Sequence, residues 1–123
     1  MLMQTAKYNF QITQGADFNF SVRLQDCNGN PLNLESFRIK MQIKKGFKAN
    51  PIDELSTANG RITVSSYEED GVYDTIEIDF PHTVTVDYPA GVFLYDLQLQ
   101  SANADITKVL EGQMQCLTSI TQQ

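Results

Sequence analysis

Few residues of this chain could carry chemistry. His82 is the sole histidine, so a Ser–His–Asp or Cys–His arrangement would have to run through it. It stands in a Pro-His-Thr turn, and no Gly-x-Ser-x-Gly elbow occurs anywhere. It reads as an exposed loop histidine with no catalytic role. Carboxylates gather at Glu68, Glu69, Asp70 and Asp74, and again at Glu77 and Asp79. A calcium loop alternates its oxygen ligands around a glycine, and EEDG at 68–71 lacks that spacing, so a solvated acidic turn is expected. Cys27, Cys116 and one histidine cannot supply a zinc set at any familiar spacing. There is no Gly-rich phosphate cradle. Asn19-Phe20-Ser21 matches the glycosylation sequon, and without a secretory signal the match reads as accidental. The sequence therefore predicts no catalytic residues, no metal and no cofactor.

The charged residues suggest binding instead. Arg38, Lys40 and Lys44 alternate along one segment, with Lys45 and Lys48 just beyond, and Glu77 and Asp79 alternate along another. If the two segments present these residues to solvent, Arg38, Lys40, Lys44, Glu77 and Asp79 form a candidate polar interface whose opposite charges set register against a protein partner. The plainer reading is a solvated surface with a few cross-strand pairs, one of them involving Asp96, each worth about 0.2–1 kcal/mol. Tyr67, Tyr73 and Tyr88 lie near loops and are the candidate platforms if the partner is a carbohydrate.

Strands must position these groups. Tyr8, Phe10 and Ile12 recur at every second position, as do Phe18, Phe20, Val22 and Leu24. Between the latter lie Asn19, Ser21, Arg23 and Gln25. Phe37, Ile39, Met41 and Ile43 repeat the pattern, and Ile62 and Val64 mark a short strand. Ile76, Ile78 and Phe80 follow, then Phe93, Tyr95, Leu97 and Leu99 within GVFLYDLQLQ at 91–100. A period of two gives each strand one dry face and one wet face. The last strand is expected from about Ile106 to Ile120, with Leu110, Gly112, Met114 and Cys116 on one face. Gly112 inside it marks a bulge or a close backbone approach. CNGNP at 27–31 is a turn, EEDG a second, and SANAD at 101–105 a hairpin tip. Residues 46–60 read as the longest irregular stretch. HTVTV after Pro81 reads either as a strand or as a crossover loop with a short turn.

About seven strands with one apolar face each require two sheets packed face to face. The expectation is an all-β, immunoglobulin-like β-sandwich of antiparallel strands, with a barrel as the alternative. The Cys–Trp–Cys core of antibody domains is absent, because the chain has no Trp.

The 123 residues fit a single domain, 1–123, with a real core. The net charge of −6 argues against binding a nucleic-acid backbone. No apolar run approaches the length of a membrane span. MLMQTAKYNF lacks a charged segment followed by an apolar one, which predicts no cleaved signal, a cytoplasmic site of synthesis and free rather than bridged thiols. No small-molecule substrate is expected.

ITQGADFNFSVRLQDCNGNPLNL, MQIKK, LSTANGRITV, PAGVFLYDLQL and KVLEG occur in that order across about residues 12–112. Together they resemble a family of small virion structural proteins of tailed bacteriophages, especially contractile-tailed phages of marine and cyanobacterial hosts. More loosely, they resemble the N-terminal domain of phage baseplate upper proteins, an Ig-like sandwich that anchors receptor-binding parts. The resemblance implies a non-enzymatic virion component at the tail, baseplate or tail-fibre attachment. Its implied partners are other phage structural proteins, met in multiple copies, and its place is the virion. A neck, collar or capsid decoration role is the alternative within that class, and a host-surface carbohydrate-binding module the alternative outside it. Residues 46–58 and the tail after Gly112 depart from the family pattern.

Overall fold

A computed structural model describes residues 5–26, 28–68 and 71–119. The elements are β1 (Ala6–Lys7), β2 (Phe10–Thr13), β3 (Phe18–Arg23), β4 (Arg38–Lys44), β5 (Pro51–Ser56), β6 (Ile62–Ser65), β7 (Thr75–Phe80), α1 (His82–Thr85), β8 (Gly91–Gln100) and β9 (Ile106–Leu117). The larger sheet runs β1-β9-β8-β4-β5, with β2 also on β9, and the smaller runs β3-β7-β6. The chain passes between the sheets after β2, β3, β5 and β7. Two sheets joined by such crossings, with the apolar faces of both in one core, form the expected immunoglobulin-like sandwich. One continuous core lies between them, including Met41, Ile43, Leu55, Ile76, Ile78, Phe80, Leu97, Leu99 and Met114, all fully buried.

Two features differ from the sequence reading, and a third decides between its alternatives. The irregular stretch contains β5, which pairs antiparallel with β4 from Lys40↔Ser56 to Lys44↔Pro51. Only Leu55 of β5 is fully buried, because an edge strand needs little apolar content, and its adjacent Asp53 and Glu54 obscure the alternation. The first segment divides into β1 and β2, and both pair parallel with β9 rather than antiparallel. HTVTV takes the second of its two expected forms, a crossover with a short turn, and that turn is helical despite its β-branched residues. The Asp17 carboxylate accepts its first N–H, from His82, at 2.6 Å, and the Thr85 hydroxyl donates to the Ala16 carbonyl at 2.8 Å.

Of the two options offered for Gly112 only the close approach occurs there; β9 has its bulge three residues earlier, at a residue the sequence reading did not single out. The register slips opposite Leu97/Gln98, leaving Val109 as the extra residue, and both Val109 and Leu110 are buried. Gly112 is the close approach: a Cβ there would lie 2.1 Å from the Tyr8 carbonyl oxygen. Ile120, the expected end of this strand, lies outside the described residues.

Candidate functional site

The basic candidates stand on β4. Its alternation buries Ile39, Met41 and Ile43 and turns Arg38, Lys40, Gln42 and Lys44 outward. Gln42 faces Asp96 on β8, as the strand order implies. The expected pairing of β4 cations with Asp96 does not form. Lys40 reaches Glu54 on β5 at 3.5 Å, while Asp96 and Glu111 each form an ion pair with Lys108 at 3.7 Å. A shallow open trough of about 570 Å³ crosses this outer face between Lys40, Lys44, Asp96, Lys108 and Glu111. Phe47, in the turn between β4 and β5, borders it and is 88% exposed.

The acidic candidates stand on the other sheet. Glu77 and Asp79 point outward from β7, opposite Ser21 and Asn19 of β3, while Ile76, Ile78 and Phe80 fill the core. The five candidate residues therefore do not form one patch: Arg38, Lys40 and Lys44 lie on one face of the sandwich, Glu77 and Asp79 on the opposite face. The full distribution of cations follows the same division. Of nine Lys and Arg, Lys7, Arg38, Lys40, Lys44, Lys45, Lys48 and Lys108 belong to the larger sheet or its β4–β5 turn. The remaining two, Arg23 and Arg61, are bound to carboxylates.

Those two arginines are structural. Arg23 Nε donates to Asp74 at 2.8 Å, another guanidinium nitrogen lies 3.3 Å from Glu68, and its carbon sits 4.4 Å above the Tyr67 ring. Asp74 is thus not part of a solvated acidic turn. It is buried, and it also accepts the Tyr67 N–H and the Thr75 hydroxyl. The Arg23 hydrogen bond holds its carboxyl below the usual carboxylate range. Glu68 is exposed, and Glu69 and Asp70 lie outside the described residues.

Arg61 clamps Asp53 at 3.0 and 3.5 Å, and the Tyr88 hydroxyl donates to the same carboxylate. Burial, then the hydrogen bond to Asp53 and its charge, push the Tyr88 phenol well above its ordinary value. Tyr88 is 4% exposed, so it serves the core and is no sugar platform. Tyr67 is exposed but carries Arg23 on its ring, which leaves Tyr73 as the sugar candidate with neither constraint.

His82 is exposed and its Nδ1 lies 2.9 Å from Asp17. Among the described residues no hydroxyl or thiol stands within hydrogen-bond distance of its ring. No group of three or more metal-binding side chains occurs among the described residues. Cys116 is buried and free, with its thiol pushed up by burial; Cys27 lies outside the described residues. No helix among the described residues is long and apolar enough to cross a membrane.

Sequence reasoning missed Glu54, Asp53 and Phe47, all in the stretch that reads as irregular. Phe47 between Lys45 and Lys48 was the available signal, an apolar ring placed among cations.

No protein-family description matches the chain, and no curated protein does. Among solved structures it is similar to that of murine CRIg, at 10% identity over 90% of this chain and 92% of that one, with a TM-score of 0.38. The architecture rests on the strand order itself.

Proposed function

We propose that the chain is a non-enzymatic structural protein of a tailed-phage virion, a tail, baseplate or fibre-attachment component that assembles in several copies through protein–protein contacts. The ordered motifs from ITQGAD to KVLEG support the class. The observation that carries the mechanism is the division of charge across the sandwich, with cations on the larger sheet and Glu77 and Asp79 on the smaller. Exposed charge pairs are worth about 0–1 kcal/mol each, so one face-to-face contact is weak. Repetition around an assembly raises the effective concentration and makes many weak contacts sufficient. Phe47, at the border of the trough, is the apolar anchor that such a polar interface needs.

Imaging of the parent particle by cryo-electron microscopy, at a resolution that shows side chains, tests this. Density for the chain at the baseplate or fibre base, with Lys40, Lys44 or Phe47 against a neighbour, is the expected result. Density at the neck or capsid would keep the structural class and move the location. Absence from the particle would overturn the reading.

A further inference from the structure

The smaller sheet ends in an unusual edge. Immunoglobulin-type sandwiches place a strand beside the equivalent of β3 to give a four-stranded sheet. Here both N-terminal strands go to β9, and among the described residues nothing pairs with the outer side of β3. The backbone register shows which groups are left. Leu24 N–H donates to the Asp74 carbonyl at 2.9 Å, so Phe18, Phe20 and Val22, at the same parity, exchange their bonds with β7. The N–H and C=O groups of Asn19 and Ser21 therefore point away from the sheet.

The side chains show the same deficit. Ile76, Ile78 and Phe80 of β7 are fully buried, whereas Phe18, Phe20 and Val22 on β3 are only partly so. Tyr8, across the seam, is 41% exposed, with its ring 5.2 Å from that of Phe20. Phe10 and Phe18 stack at 5.4 Å one step along. Other edges carry protection that β3 lacks. Strand β5 has Pro51 at a register shift and two carboxylates, β6 is four residues long, and Tyr8–Asn9 interrupts the β1–β2 edge. FNFSVR has no proline and no free charge, since Arg23 is tied to Asp74.

We infer that the β3 edge is a socket for one extended segment of another protein, added as a fourth strand of the smaller sheet. The occupant's chemistry follows from the two faces it would join. Its inward residues meet Phe18, Phe20 and Tyr8 and must be apolar. Its outward residues lie beside Asn19 and Ser21, with Glu77 and Asp79 one strand further on and Asp17 at the end of the edge. A long Lys or Arg side chain spans that distance, which favours basic residues. The partner segment is therefore about six residues of alternating apolar and basic type. The socket does not depend on the virion reading, and either can fail without the other.

The test uses the full chain and a blocked peptide of alternating Val and Lys. The expected result is slower amide hydrogen exchange at Asn19 and Ser21, by about tenfold or more at saturation. A peptide with Glu in place of Lys, or with the Val residues grouped together, should give none. Ser21→Pro removes an outward N–H that an edge position can spare, and should abolish the protection with the far-ultraviolet circular dichroism unchanged. Should that variant not fold, the exposed pair Glu77→Lys and Asp79→Lys should reverse the preference toward the Glu peptide. No protection at millimolar peptide, or protection on β5 or β6 instead, would overturn the proposal. So would protection that appears without peptide and grows with protein concentration, because the occupant would then be a second copy of this chain.

Discussion

Gly112 and Asp74 each have one neighbour that fixes what they can be. The Tyr8 carbonyl lies over Gly112 and also accepts the Tyr95 hydroxyl, while the Asn9 side-chain oxygen takes the Gln113 N–H at 2.9 Å. Gly112→Ala puts a methyl against backbone, which cannot rotate aside, and is expected to cost about 1–3 kcal/mol in urea unfolding. Amide exchange should quicken first at Tyr8, whose N–H donates to Glu111. Asp74 gives a pH effect. Its carboxyl is held below its ordinary 3.8 in the folded chain, chiefly by Arg23. The resulting stability is present above that ordinary value and lost as pH falls through the lower folded value. The thermal midpoint should therefore drop below about pH 4, and Asp74→Asn should flatten that acid limb. Gly112 was legible as a glycine out of place in a strand. Asp74 was not, because in the sequence it stands close to a run of carboxylates and its partner Arg23 is 51 residues away.

Strand β5 shows how an element hides. It carries one fully buried side chain, and its place is fixed by Asp53, which holds Arg61 at the start of β6 and Tyr88 beyond α1. Asp53→Ala removes charge-assisted bonds to both and should destabilise the fold by about 1.5–3 kcal/mol, read from the urea midpoint. Arg38→Ala on the neighbouring strand, exposed and outside any ion pair recorded among the described residues, should stay within about 0.5 kcal/mol. Strands with one dry face, β3, β4 and β6 to β9, could be read from their period of two. The edge strand, the one-turn helix and the parallel pairing of β1 and β2 could not. An edge strand buries little, α1 is fixed by the β2–β3 turn, and strand direction is set by partners distant in sequence.

At the level of the whole molecule, the candidate interface divides into two faces that cannot meet within one chain. Each charge was legible as outward-facing, but the sheet to which it belonged was set by topology. Docking through these faces should weaken with salt, since the Debye length falls to about 3 Å near 1 M. Sedimentation at rising salt, with Lys40→Glu and Lys44→Glu as the charge-reversed form, measures this. Any association through the β4 face should fall in both cases. The placement of β1 has another consequence. Ala6 pairs with Leu110 and Phe10 with Met114, so strands made first wait for a strand made last. During synthesis the larger sheet cannot close until β9 leaves the ribosome. Until then β2 and its aromatic ring lack the strand they pair with, so closure of the larger sheet is a late, non-local step.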